Sequence, residues 1–522
     1  SQLERTSVGL NMTPSFLDDH LKVSLNSKFS YENNFFTDQG AIGAAVTFDP
    51  TQPIYADNIY GGYFEWLDAA GKPNTLAPKN PLGLIYQKDD RSNVYRFIGN
   101  VAFDYKMHFL PDLRANLNLG GDFTRSNGTV FIPANAASNF NRHGVDKQYD
   151  QGKNNKLLEF YLNYLKDISS IHSKIDVTAG YSYQDWVRAS PWEPFVDSTG
   201  EEFGYPDVNA LGDTITQPGV PFKTQNTLIS FYGRLNYTFF DRYLLTATLR
   251  DDGSSRFSPD NRWGLFPSVA LAWRISDEAF LKNASAISNL KLRLGYGVTG
   301  QQDLPPTLSD YPYIANYQQG DPSAQYQFGD QYYGVLRPDG YDVNIKWEQT
   351  TTYNAGLDFG FANGRISGTI DVYDKKTTDL LAVIPVPAGT NFTNNILTNV
   401  GDLENKGVEA TLNLVPFDTK DFRWEIGGNV TYNHNEITKL TKIPDTSSVG
   451  ILVGNIDGGV GNTIQIQSVG YATNTFYVYQ QKYDENGKPI EGAYEDLNGD
   501  GKITIDDRYH YKNPEPDVFA GL

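Results

Sequence analysis

Nearly every segment between turns in this chain alternates apolar and polar residues with a period of two, and the turns themselves alternate between tight and long. Ile229, Phe231, Gly233, Leu235, Tyr237 and Phe239 fall on one face of a strand. Ser230, Tyr232, Arg234, Asn236 and Thr238 fall on the other. A tight turn at Phe240, Asp241 and Arg242 follows, and Tyr243, Leu245, Ala247 and Leu249 repeat the apolar face on the way back. Side chains alternate across a strand, so the two sets line opposite surfaces. Segments of about ten residues match a tilted strand crossing hydrocarbon.

The pattern holds along the chain. Leu21, Val23, Leu25, Phe29 and Tyr31 form one apolar face; Ile175, Val177, Ala179, Tyr181 and Tyr183 form another; Leu290, Leu292, Leu294, Tyr296 and Val298 a third. Asn363-Gly364 suits a two-residue hairpin, because both positions tolerate positive φ. Tight connections are predicted near 14–20, 107–112, 167–173, 240–242, 276–289, 362–364 and 416–421. Long polar ones are predicted near 33–92, 125–155, 187–226, 300–346, 375–405 and 435–515. The count is about fourteen complete strands plus the start of another at Val518, about fifteen in all. The fold class expected is all-β: a large antiparallel transmembrane β-barrel with long extracellular loops and short periplasmic turns. A soluble sandwich, propeller or solenoid also alternates, but rarely keeps short and long loops in parity over so many hairpins.

Composition narrows the classes. A formal net charge of −19 argues against nucleic acid as a partner, since phosphate binding needs a basic surface. Zero Cys excludes a disulfide scaffold and a thiolate metal site. Mean hydropathy is −0.46, which a hydropathy scan reads as soluble; barrels defeat such scans because half of each strand is polar. No apolar run is long enough for a membrane helix. Tyr and Phe close several strands, as at Tyr105, Phe109, Tyr237, Phe239 and Tyr432, where amphipathic rings suit the headgroup level.

Residues 236–281, NYTFFDRYLLTATLRDDGSSRFSPDNRWGLFPSVALAWRISDEAFL, resemble the SusC-like (SusC/RagA) TonB-dependent outer-membrane transporters of Bacteroidetes. So do LKLRLGYGVTGQQDL at 290–304, WEQTTTYNAGLDFGF at 347–361, NVGDLENKGVEATLNL at 399–414 and DLNGDGKITIDDR at 496–508. The resemblance implies a 22-stranded barrel occluded by an N-terminal plug. On this reading residues 1–522 are part of one outer-membrane barrel domain, with the plug and the last strands not found in the chain. It also implies location in the outer membrane of a Gram-negative bacterium. The implied partners are a SusD-like surface lipoprotein acting as a lid, the TonB-ExbB-ExbD energising complex and membrane lipid. Importer–lipoprotein pairs would assemble as dimers. The expected activity is TonB-dependent import of oligosaccharides. Oligopeptide import by the same mechanism and a passive porin or adhesin barrel are the alternatives.

Two kinds of local motif add candidate sites. Residues 496–507 place Asp496, Asn498, Asp500, the Lys502 carbonyl and Asp507 at the first, third, fifth, seventh and twelfth positions of a calcium loop, with Gly501 at the bend. Ca2+ there would staple a loop. The alternative is a polar turn that needs no metal. The long connections carry aromatics: Tyr60, Tyr63, Phe64 and Trp66 in one; Trp186, Trp192 and Phe195 in another; Tyr311, Tyr313, Tyr317, Tyr326, Tyr332 and Tyr333 in a third. Sugar rings stack on such faces, making Tyr60, Tyr63, Trp66, Trp186 and Trp192 the candidate substrate-binding residues. The alternative is that these rings form small cores within their own loops. Arg234, Arg250 and Arg274 lie on polar strand faces. No HExxH pair, nucleophile elbow or phosphate loop is present, so no enzyme activity and no organic cofactor are expected.

Overall fold

The computed structural model describes residues 1–190, 209–213, 222–281, 284–304, 310–319, 325–386, 389, 393, 395–441, 449–456 and 462–522. The main sheet runs in chain order through β1 (Gln2–Met12), β2 (Leu21–Phe36), β3 (Asp89–Lys106), β4 (Leu113–Ile132), β5 (Val145–Ile168), β6 (Ser173–Ser190), β7 (Phe222–Phe239) and β8 (Tyr243–Ser254). It continues through β9 (Trp263–Arg274), β10 (Ile287–Gln301), β11 (Glu348–Phe361), β12 (Ile366–Pro385), β13 (Asn395–Asp418), β14 (Arg423–Lys439) and β15 (Val518–Gly521). Every strand pair whose register is described is antiparallel. The predicted fourteen strands and the start at Val518 are therefore present. Most are longer than predicted, with β5 and β13 reaching 24 residues. About ten residues suffice to cross hydrocarbon. The surplus continues as paired strand into the long-loop end, where antiparallel hydrogen bonding needs no lipid.

The tight turns follow the sequence chemistry. Asn363 and Gly364 adopt φ of 56° and 83°, the twist that closes a two-residue hairpin. Phe240 and Asp241 adopt φ of 48° and 54° without glycine.

The chain forms two compact units, 1–162 with 180–229, and 163–179 with 230–522. In the first, Val23, Leu25 and Phe29 of β2 face Phe103, Val101 and Phe97 of β3, which face Leu117, Leu119 and Phe123 of β4. In the second, Leu245, Leu271, Leu294 and Ala355 continue one apolar row through β8 to β11. These rows point outward. Phe97, Leu119, Leu271, Leu294, Ile370 and Val430 are each at least two-fifths exposed. Among the described residues few large apolar side chains are fully buried, and one buried apolar cluster consists of just Ile132, Ala136 and Val145. A soluble domain cannot expose so much apolar surface while burying so little. A wall against hydrocarbon does so by necessity.

The opposite face is polar and internally paired. Arg293 bridges Asp358 at 2.8 Å and Asp371 at 2.9 Å. Arg96 grips Asp122 through two bonds of 2.8 and 2.6 Å. The long connections fold on themselves. Residues 451–510 carry a four-stranded sheet built from Ile451–Asn455, Thr463–Gln467, Thr475–Tyr479 and Arg508–His510.

Candidate functional site: an amide-lined recess on the polar wall

The polar faces of β2, β3 and β4 bring asparagines into line. Asn26 stands directly opposite Asn100 and donates to it at 3.3 Å. Asn100 in turn donates diagonally to Asn118 at 2.9 Å. Each amide has a donor and an acceptor end, so the three link head to tail and fix one another's orientation. Close approach of the strands is possible because Gly99 lacks a side chain; a Cβ there would come within 2.8 Å of the Asn26 carbonyl.

A cavity of about 490 Å³ opens beside this ladder. Six carboxamides line it: Asn11, Asn26, Asn100, Asn118, Asn155 and Gln184. Trp186 supplies an aromatic wall, Lys28 and Lys156 add two ammonium groups, and Asp122, the acidic residue of the lining, pairs with Arg96. Carboxamides donate and accept at once, which matches hydroxyl groups. An aromatic face matches the C–H face of a ring. The recess is thus suited to a polar, hydroxyl-rich chain.

The predicted aromatic residues separate into different roles. Tyr60 is 2% exposed, packs edge-on against Phe140 and donates its hydroxyl to the Gly71 carbonyl. Trp66 packs edge-on against Phe48 and Phe64, with ring centres 4.8 and 5.2 Å away. Tyr63 leans on Tyr55. These three form a small cluster on the loop between β2 and β3, with Tyr60 reaching Phe140 of the connection between β4 and β5. Asn80 seals it. Its side chain caps the helix Pro81–Tyr86, and its backbone N–H donates to the buried Glu65 carboxylate. Burial pushes the Glu65 carboxyl up and the neighbouring Lys79 ammonium down. The sequence pattern puts Trp186 in a long loop; it lies instead on β6, which runs on to Ser190, and lines the recess. Trp192 and Phe195 lie outside the described residues. Tyr326, Tyr332 and Tyr333 sit more than half exposed on a hairpin between β10 and β11.

The asparagine ladder is not evident from the sequence pattern. Its signal was an Asn on the polar stripe of each of three consecutive strands, but registering those strands required the structure. Among the polar-face arginines, Arg250 pairs with Asp252 at 2.7 Å and donates to Ser230. Arg234 donates to Thr248, and Arg274 to the Asp241 carbonyl.

The predicted calcium loop is closed by its own backbone. The Asp496 carboxylate accepts from the N–H groups of Gly499, Asp500 and Gly501. Asn498 accepts from Asp500, and Asp500 from Lys502. Asp507 is fully buried and accepts from Leu497, Asn498 and Thr504. Those backbone donors, Thr504 foremost, hold its carboxyl below the usual carboxylate range. The donor types suit a hard cation, but these carboxylates already serve as turn acceptors. Among the described residues, no group of three or more His, Cys, Asp or Glu is arranged to hold a metal ion.

Residues 8–509 match the family described as TonB dependent receptor-like, beta-barrel. The chain is 43% identical to the TonB-dependent receptor SusC of Bacteroides thetaiotaomicron, over all of this chain and 52% of that protein. It is 30% identical to the TonB-dependent receptor P26 of Formosa agariphila, over 97% of this chain and 51% of that protein. It spans about half the length of these relatives. Its fold matches the RagAB peptide transporter with a TM-score of 0.73 at 20% identity, over 99% of this chain and 56% of that one. The outward apolar rows, the paired polar wall and these matches agree, and the chain belongs to the TonB-dependent receptor β-barrel family, in its SusC-like branch.

Proposed function

We propose that this chain is the barrel portion of an importer that carries oligosaccharides across the outer membrane of a Gram-negative bacterium. The observation that carries the reading is the recess of six carboxamides beside Trp186. Amides complement hydroxyls, and the indole complements a sugar ring. The 43% identity to a SusC along the whole chain supports TonB-dependent energising. In this proposal TonB, with ExbB and ExbD, draws on the inner-membrane proton gradient and pulls on a plug within the barrel. A SusD-like lipoprotein closes over the long-loop end. Importer–lipoprotein pairs form dimers.

The second reading is oligopeptide import. Carboxamides also pair with peptide backbone, and the RagAB peptide transporter has the same fold. Uptake of labelled neutral oligosaccharides and of labelled peptides by cells carrying the full-length protein separates the two. The proposal expects sugar uptake that stops when the proton gradient is collapsed. Peptide uptake alone would favour the second reading. Uptake indifferent to the gradient would favour a passive porin.

For the loop at Asp496, Asn498, Asp500, Lys502 and Asp507, we propose Ca2+ as a reinforcing clamp on a turn that its backbone already closes.

A further inference from the structure

The outward face of the second unit is not smooth. A recess of about 440 Å³ lies over β7 to β10, within the size range of small-ligand pockets. Its lining is almost wholly apolar: Leu245, Leu271, Leu292 and Leu294 form the floor, and Tyr243 and Trp273 form a wall. The floor residues belong to the row that faces hydrocarbon. Their strands are paired on both sides there, so no free backbone N–H or C=O is available to bind a peptide by strand addition.

The wall is held in place from one end. Glu278 accepts from the Tyr243 hydroxyl at 2.6 Å and the Trp273 indole N–H at 3.0 Å. The same carboxylate pairs with Arg242 at 2.7 Å. One carboxylate thus fixes two rings and a guanidinium, and the recess is formed before anything enters it. These groups lie at the tight turn Phe240–Arg242 and the Ile275–Asp277 helical turn. Tight turns mark the periplasmic end of such barrels, at the level of the inner-leaflet headgroups. Arg242 remains partly exposed there; it gives one N–H to Glu278 and its Nε–H to the Phe240 carbonyl, which leaves its remaining N–H groups available.

We infer that this recess is a specific site for one phospholipid of the periplasmic leaflet, with an acyl chain along the leucine floor and the headgroup phosphate on Arg242. An apolar channel continuous with the lipid-facing surface suits the chain. A guanidinium at headgroup depth suits the phosphate, to which its remaining N–H groups can donate charge-assisted hydrogen bonds. The inference stands on the barrel fold and is independent of which solute the protein carries.

The test uses the full-length protein extracted from outer membranes, delipidated in mild detergent and weighed by native mass spectrometry. The wild type is expected to retain one phospholipid per chain. Leu271→Trp fills the recess and should lose that mass. Leu292→Trp fills it from the next strand and should do the same, so the test survives if one variant fails to fold. Val269→Trp, on the same face but outside the recess, should keep it. Arg242→Gln should bind a phosphate-free diacylglycerol as well as it binds phospholipid, whereas the wild type should prefer phospholipid. Retention of phospholipid by both filled variants would overturn the proposal. So would a wild type that retains no lipid, or only lipopolysaccharide.

Discussion

Trp66 and Trp186 are both tryptophans in the first unit, and both sit in polar surroundings by sequence. Trp66 is half-buried in a loop, with Phe48 and Phe64 packed edge-on against its ring. Trp186 stands on a strand, beside carboxamides that face a cavity. The first ring is consumed by packing; the second leaves a face free for a visitor. Local composition does not decide an aromatic residue's role. What lies behind and in front of the ring decides it.

The sharpest way to break this comparison is to delete each ring. Trp66→Ala should destabilise the loop between β2 and β3 by about 3 kcal/mol, the low end for losing a packed aromatic. Hydrogen exchange over 39–88 should rise while β2 to β4 stay protected. Trp186→Ala should leave exchange unchanged and weaken binding of a neutral oligosaccharide by about 1 kcal/mol, roughly fivefold in Kd by calorimetry. If Trp66→Ala weakens sugar binding with the loop intact, the assignment of the two rings is reversed.

The loop between β14 and β15 offers a gentler version of the same contrast. His510 stacks on Tyr471 with ring centres 3.7 Å apart and bonds to Ser468. Burial holds its pKa below the ordinary value. The unfolded loop therefore binds a proton more readily than the folded one. Loop stability should be full above about pH 6.5 and decline as pH falls from there through the lowered native value. Hydrogen exchange across residues 463–479 at pH 7.5 and pH 5 measures it. The smallest effect is expected from calcium: millimolar Ca2+ should slow proteolysis of residues 496–507 modestly, and EDTA should reverse this. No change with either would remove the clamp.

The strands were legible because a wall between lipid and water writes its two faces directly into alternate residues. Asn363-Gly364 and Val518 were read correctly for the same local reason. Registers were not legible: nothing near Asn26 in the chain announces Asn100 or Asn118. The loop core was half legible. The aromatic cluster at Tyr60–Trp66 was visible, but its partners Phe48 and Phe140 are fixed only by tertiary packing. Trp186 was placed in a loop because β6 outruns the length that a membrane demands.

The linked amides of β2, β3 and β4 also bear on how such a wall is put together. Sliding any one of these strands by a single residue would turn its carboxamide toward the greasy exterior and leave its neighbours' hydrogen bonds unmet. Three side chains thus act as a check on assembly: a mis-threaded intermediate pays at once, near mid-strand, before the remaining hairpins are added.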